Sequence, residues 1–500
     1  MKMKSFFSKS SLLHTFLLPV FFVLHSWNNY YYLVKFQDLF VILFGILLFS
    51  FFLLTIALLI LRNRQKAAIL NFALISYMLF YGYIYDQLQH FIKFLSRHSI
   101  LLTAFLLLFI IGAYILKKIK ENQLLKFTNY LNILLVTFCL YEIIHTATIF
   151  NTYRKKENAE TINSTPKQAQ YPNIYILVFD EYASSKSLMR DYGYDNSSID
   201  SFLKSSGFFV MKDSKSNYLR TNLSIASLLN FDYTSGLAPR GGMTAEDLLK
   251  SHKKIKYNAL FDLGKKHGYE IYNYSIFDTE QSPSKVKNDY LFNNERIIIS
   301  NTMISRLIND LGPSLPFPFL KKILGTNITA ETYRKYNERA ERLFLADIKI
   351  QKSRTPKLAY GHFLMPHPPF IYDSLSNPVY YDNQKMENYY EKKFVPKYLS
   401  YLSYTNSHLK KIITETLKEN NNNCIIFVLG DHGYKVMDDS SLVNDHFFNN
   451  LQALYLPSEK YAPLKSNSTP VNVMRHIINN AFEKKLPYLT DSSVLLGNKW

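Results

Sequence analysis

The chain has 500 residues, too many for one ordinary domain, and is rich in aromatics, with 38 Phe and 38 Tyr against 16 Gly. Of its net charge of +19, the first 156 residues supply +12, from 16 Lys and Arg against 4 Asp and Glu. That charge flanks apolar segments, so it speaks for membrane topology and not for nucleic-acid binding. The only cysteines are Cys139 in an apolar segment and Cys424 in an expected buried strand, which excludes a disulfide framework and a zinc–thiolate site.

Five apolar stretches in residues 1–150 have the length of membrane spans: Leu12–Tyr32, Phe40–Leu61, Ala67–Tyr85, Ser99–Leu116 and Leu131–Phe150. About 20 such residues at 1.5 Å each cross the hydrocarbon layer. The first stretch has no small-residue cleavage site, and Trp27 with Tyr30–Tyr32 forms an interfacial belt, so it reads as a retained helix. Lys2, Lys4, Lys9, Arg62, Arg64, Lys66, Lys117, Lys118, Lys120 and Lys126 fall in one set of loops, and only Lys35, Lys93 and Arg97 in the other. The positive-inside rule therefore places the N-terminus in the cytoplasm, and five spans place everything after Phe150 outside. Glu142 and His145, one turn apart in the fifth stretch, either serve a function or reach water near its outer end. Residues 151–170 are polar and read as a juxtamembrane linker.

Residues 171–500 alternate strand and helix, the pattern of a doubly wound α/β domain. Asn173–Ala183 reads NIYILVFDEYA, an apolar run ending abruptly in Asp180 and Glu181. Such a run suits a central parallel strand, and ligands bind beyond the carboxyl ends of such strands. Ser216–Asn230 places Thr221 at the start of an expected helix. A Thr there is either an N-cap or, at the positive end of the helix dipole, a hydroxyl facing an anion. Further expected helices are Ser197–Ser206, Ala259–His267, Ala330–Gln351, Phe394–Glu419 and Val471–Phe482. Expected strands are Phe208–Met211, Glu270–Tyr274, Lys357–Leu364 and Gln452–Leu456. Prolines 366, 368 and 369 hold His367 on a stiff loop at a strand end, whereas His362 inside the strand reads as structural. Cys424–Tyr434, CIIFVLGDHGY, repeats the strand-then-acid grammar, with Asp431 and His432 between glycines and able to aim at one cation. His446 follows in NDHFF.

The order NIYILVFDEY, YLRTNLSIASLLN, MPHPPFIYD, GDHG and DHFFNNLQALYLP, over about Tyr171 to Phe482, resembles the sulfatase-like branch of the alkaline phosphatase superfamily. The nearest resemblance is to membrane enzymes such as lipoteichoic acid synthase and the phosphoethanolamine transferases, whose architecture also fits the apolar first third. The first acidic ligand in both groups is usually Glu, where this chain has Asp180 followed by Glu181. The outer domains of phosphoethanolamine transferases commonly carry disulfides, which this chain lacks.

The resemblance implies a divalent metal, zinc or manganese, held by Asp180, Thr221, Asp431 and His432. It casts Thr221 as nucleophile, with His367, His446 and Glu181 near the substrate. It implies transfer of a phosphoethanolamine or phosphoglycerol group from a membrane phospholipid to an envelope glycan or lipid, at the outer face of a bacterial plasma membrane. The alternatives are a membrane-anchored phosphoester hydrolase and a catalytically dead envelope binding protein. The C/S-x-P-x-R motif from which true sulfatases mature their formylglycine is absent around Thr221, which disfavours sulfate-ester hydrolysis.

Overall fold

The computed structural model describes residues 13–31, 33–34, 36–161, 171–234, 245–286, 296–311, 330–349, 355–380, 389–436 and 444–495. The chain divides into two compact units, Met1–Ile162 with Phe292–Asn327, and Asn163–Leu291 with Ile328–Trp500.

The first unit is helical: α1 (Leu13–Tyr30), α2 (Asp38–Leu61), α3 (Arg64–Phe91), α4 (His98–Lys118) and α5 (Glu121–Thr161). Among the described residues, four segments are long and apolar enough to cross a membrane: Asp38–Leu61, Arg64–Gln89, His98–Lys118 and Gln123–Asn151. On α2, Phe40, Phe44, Leu48 and Phe51 are exposed, an apolar face suited to lipid. The expected first span, α1, is a helix but falls outside these four, because Pro19, His14, His25, Asn28 and Asn29 dilute its apolar character. Apolar contacts such as Phe21 on Phe138 and Trp27 on Phe150 pack it against α5, and polar contacts add to them. His14 N donates to Asn132 Oδ1 (2.8 Å), His25 Nδ1 meets Glu142 Oε1 (2.8 Å), and Asn28 Nδ2 donates to Glu142 Oε2 (2.6 Å). Thr146 Oγ1 donates to Asn28 Oδ1 (2.9 Å). The partners advance together along both chains, so α1 and α5 run parallel and in register. Glu142 is therefore a buried clamp, while His145 is exposed. The expected linker at 151–170 begins as helix, since α5 continues to Thr161, and 162–170 lie outside the described residues.

Segment Phe292–Asn327 lies in sequence within the expected outer domain, yet its contacts join it to the first unit. Its helices α11 (Arg296–Ile299) and α12 (Met303–Leu311) pack on α1 and α3. Gly82 N donates to Asn301 O at 2.7 Å, and a Cβ on Gly82 would lie 2.8 Å from the Asn301 backbone, so only glycine admits this approach. Arg306 pairs with Asp86 one turn further along α3. Both contacts sit at the end of α3 remote from Arg62, Arg64 and Lys66.

The second unit holds β1 (Asn173–Phe179), α6 (Ser185–Tyr192), α7 (Ser197–Ser205), β2 (Phe209–Val210), α8 (Thr221–Asn230), α9 (Ala245–Lys256), α10 (Ala259–Lys266) and β3 (Glu270–Tyr274). It continues with α13 (Ala330–Lys349), β4 (Lys357–Phe363), α14 (Val395–Glu419), β5 (Cys424–Leu429), β6 (Gln452–Tyr455) and α15 (Pro470–Ala481). The sheet order is β2-β6-β5-β1-β4-β3. Strands β5, β1, β4 and β3 are parallel, as expected of a doubly wound core. β6 and β2 depart from that pattern, for β6 runs antiparallel to β5 and β2 antiparallel to β6. An antiparallel return needs no crossover helix, and the only helix among the described residues of the β5–β6 connection is a 3-10 turn, Asn444–Phe448. Strands β1, β4 and β5 are almost wholly buried, which accounts for their unbroken apolar sequences.

Register positions the site. Val178 pairs with Leu429, so two further steps bring Asp180 level with Asp431. Phe179 pairs with Phe363, which puts the MPHPPF loop at the same edge.

Candidate metal centre

Asp180 lies just beyond β1, and its N–H continues the ladder to Phe363 O (2.9 Å). Glu181 adopts φ +59°, a left-handed backbone that a non-glycine residue holds only under constraint. Two bonds supply that constraint: Glu181 N donates to Asp431 Oδ1 (2.9 Å), and Tyr398 OH donates to Glu181 O (2.9 Å). Asp431 Oδ1 also accepts from His432 N (2.9 Å). Two backbone donors thus fix one oxygen of Asp431 and leave the other, Oδ2, buried without a hydrogen bond and 3.4 Å from His432 Nε2.

His432 Nδ1 lies 3.0 Å from Gly433 O. A carbonyl only accepts, so Nδ1 carries the proton and Nε2 presents its lone pair, the tautomer that a metal ligand requires. Ligand atoms of Asp180, Asp431 and His432 all lie within 4.8 Å of one another, and all three residues are buried. Asp180 Oδ1 is likewise buried and unpartnered. Buried carboxylate oxygens without partners are costly unless a cation compensates them. The donor set, two carboxylates and one imidazole, fits a divalent ion such as zinc or manganese.

Burial would raise the Asp180 pKa, but His367, a bond from His362 and the nearby His432 outweigh it and hold the carboxyl well below its usual range. Burial lowers the His367 pKa, and Asp180, then Glu181, overcome this and leave it raised. His367 is held by the Pro368 carbonyl at Nδ1 and by a parallel stack on Tyr333. His362, expected to be structural, has Nδ1 at 3.1 Å from Tyr360 OH and Nε2 at 3.5 Å from Asp180 Oδ2. It therefore touches the candidate ligand directly.

Thr221 is the first residue of α8, and the N-cap is Arg220, with no side-chain capping bond. The capping reading of Thr221 therefore fails, and its hydroxyl makes no hydrogen bond among the described residues. The strand-like approach to α8 is strapped across the β6 edge: Met211 N donates to Gln452 O (3.0 Å), Ser214 Oγ to Asn450 O (2.7 Å) and Ser216 N to Phe448 O (2.7 Å). The same 447–451 stretch receives Gly430 N at Leu451 O and Gly433 N at Phe447 O. The strap and the Asp431–His432 turn thus share one backbone frame.

Glu181 Oε1 accepts from Tyr390 OH (3.0 Å), while Oε2 is buried and unpartnered. Lys435, which the sequence reading did not single out, lies with Nζ 4.0 Å from Glu181 Oε1. Burial lowers its pKa, the charges of Glu181 and Asp431 oppose that, and Arg220 reinforces it. Its only sequence signal is a lysine four residues past Asp431, which any solvated turn could carry. His446 does not join the cluster. Its Nδ1 lies 3.2 Å from Asp191 Oδ1, an acid already bonded to Arg190 and Ser187 on α6.

A family model described as Sulfatase matches residues 172–476. No curated protein matches the chain. Among solved structures, the C-terminal periplasmic domain of EcEptC from Escherichia coli is 13% identical, with 63% of this chain and 84% of that one covered and a TM-score of 0.37. The same domain in complex with Zn gives 12% identity, 66% and 86% coverage and a TM-score of 0.37. A protein in the alkaline phosphatase superfamily from Vibrio parahaemolyticus gives 14%, 65% and 72%, and 0.35. The family match takes in β1 with its terminal acid, the α8 start, the His367 loop and the Asp431–His432 turn, and runs into α15. By this match over more than half its length, the chain belongs to the sulfatase family of enzymes.

Proposed function

We propose that the protein transfers a phospho-headgroup from a membrane phospholipid to an envelope glycan or lipid through a phospho-threonine intermediate on Thr221. The observation that carries this reading is the set of unpartnered, buried carboxylate oxygens on Asp180 and Asp431 beside the His432 lone pair. In such a centre a divalent ion would neutralise phosphoryl charge and lower the pKa of a nearby hydroxyl. Asp180, Asp431 and His432 would hold it, joined by Thr221.

Thr221 gives up its hydroxyl proton to solvent as Oγ attacks the phosphorus, the P–O bond to diacylglycerol breaks, and the departing alkoxide takes a proton. His367, whose charge is stabilised by Asp180 and Glu181, is the side chain assigned to deliver it. The acceptor hydroxyl then passes its proton to His367 and attacks the phosphorus, the bond to Thr221 Oγ breaks, and Thr221 Oγ takes a proton back from solvent. The free amides at the start of α8 favour the anion throughout.

Two features support an extracytoplasmic site. α1 runs parallel to α5, so α5 ends at the level where α1 ends, opposite to where α1 begins. Residues 296–311, drawn from within the second unit's sequence, pack at the end of α3 remote from its basic residues. Tethering there keeps the centre at high effective concentration beside its lipid donor.

The test uses the full-length protein in lipid–detergent micelles, with and without zinc or manganese, and headgroup-labelled phosphatidylethanolamine or phosphatidylglycerol. The expected result is metal-dependent label on Thr221 by mass spectrometry, absent in Thr221→Ala. Release of the headgroup to water, with none passed to added glycan or lipid, would establish the hydrolase instead.

A further inference from the structure

Resting on that reading, we propose that the C-terminal stretch Thr490–Val494 positions the nucleophile, with Asn217 as the positioning residue through which it acts. Thr221 has no capping bond of its own, so the place of its hydroxyl is inherited from the backbone on either side. One anchor is Ser216 N on Phe448 O (2.7 Å), within the frame that also carries the Asp431–His432 turn. The C-terminal stretch supplies the others.

Asn217, four residues before Thr221 and only 1% exposed, is the pivot. Its Nδ2 donates to Ser492 O (3.0 Å) and to Tyr233 OH (3.3 Å), and its Oδ1 accepts from Val471 N (3.1 Å). Both side-chain N–H groups and the oxygen are thereby engaged. Its carbonyl accepts from Val494 N (2.9 Å), and beside it Ser493 Oγ donates to Ser216 O (2.7 Å). Tyr233, three residues past the end of α8, closes the link: its hydroxyl donates to Thr490 O (2.8 Å) and accepts from Ser492 N (2.8 Å). Val494 and Tyr233 pack on Tyr218 and Leu223, a buried pair that brackets Thr221. Asp491 ties the stretch to Thr469 and Asn472 at the start of α15, and each of the three residues after it bonds to Ser216, Asn217 or Tyr233. Thr490, Asp491 and Ser492 are themselves exposed, so burial of apolar surface is not what these bonds serve. What they fix is the backbone around Thr221, where a displacement of about 1 Å costs on the order of 100-fold in rate.

The experiment compares the full-length protein with a chain ending at Asp491, which keeps the bonds to Thr469 and Asn472, and with Tyr233→Phe, which loses one hydroxyl and keeps the ring. A chain ending at Leu495 retains the stretch and is expected to behave as wild type. All are zinc-loaded in lipid–detergent micelles, with zinc content measured on each. The chain ending at Asp491 is expected to keep its zinc and the lipid concentration that half-saturates labelling, and to label Thr221 about 100-fold more slowly. Tyr233→Phe is expected to do so about 10-fold more slowly, and decides the matter if the shortened chain does not fold. In both, amide exchange at Leu223 and Ser224, which donate to Arg220 O, should rise about 10-fold while β1 and β5 stay unchanged. The inference is overturned if either variant labels within 2-fold of wild type, loses zinc together with label, or exchanges Leu223 and Ser224 no faster. A chain ending at Leu495 that is as slow as the shorter one overturns it as well. Absence of label in wild type would sink the transfer reaction, and the exchange rates would still decide the positioning, so the two failures are distinguishable.

Discussion

Gly430→Ala tests whether the centre depends on the close approach of two strand ends. An added Cβ would lie 2.4 Å from Tyr182 O and 3.1 Å from Tyr182 C, both backbone atoms. Ordinary contact begins near 3.4 Å, so one segment must move by about 1 Å. Neither is free to do so alone, since Gly430 N is bonded to Leu451 O (2.9 Å) and Leu451 N to Tyr182 O (2.9 Å). Overpacking of this kind costs about 1–3 kcal/mol. The larger effect falls on chemistry, because Asp431 and His432 follow Gly430 directly and Tyr182 follows Asp180 by two residues. A displacement of about 1 Å at reacting groups costs on the order of 100-fold in rate. The assay pairs thermal unfolding with bound zinc and with the rate of Thr221 labelling. Gly45→Ala, where an added Cβ meets nothing within 4 Å, is the silent control. Gly430→Ala with wild-type zinc content and labelling rate would refute the argument.

His446→Ala should reduce labelling less than about 3-fold, because its imidazole serves Asp191, whereas His367→Ala should cost about 100-fold or more; the reverse ranking would restore His446 to the site. Gly82→Leu should expel Asn301 from α3 and expose Arg306, so trypsin should cut there about tenfold faster in micelles, and an unchanged rate would show that the docking tolerates a side chain. Burial raises the Glu341 pKa, but bonds from His408 and Lys411 outweigh it and leave the pKa lowered. A lowered folded-state pKa contributes stability above the unfolded value near 4.3, and that contribution is lost as pH falls through the folded value. Glu341→Gln should therefore destabilise by about 1 kcal/mol at pH 7 and progressively less below pH 4 in urea unfolding; a deficit that is constant with pH would count against the ion pair.

The elements were legible wherever one local pattern sufficed. Strand Glu270–Tyr274 falls where the sequence placed it, and β1, β4, β5 and α14 agree to within two residues, because a buried strand must be apolar throughout and a long helix keeps its period. Helices α6 and α9 were missed: the first has only eight residues and the second is largely charged, so each offers few apolar positions by which to recognise it. The direction of β6 was also hidden, since an apolar strand reads the same in either sense. α1 falls short as an apolar span on its own, and what holds it against α5 is a mix of aromatic packing and polar pairing across more than a hundred residues of sequence.

The site divides in the same way. The sequence by itself determined that Asp180, Asp431 and His432 stand at strand ends and that Thr221 opens a helix, for those are properties of neighbouring residues. Only the tertiary structure decided that Asp180 and not Glu181 completes the carboxylate–imidazole cluster, through a left-handed backbone held by Asp431. It alone turned His446 away to Asp191, brought His362 against Asp180, and buried Lys435 beside Glu181. These are contacts between side chains from separate elements, fixed by sheet register and by which groups compete for each partner, and local sequence encodes neither.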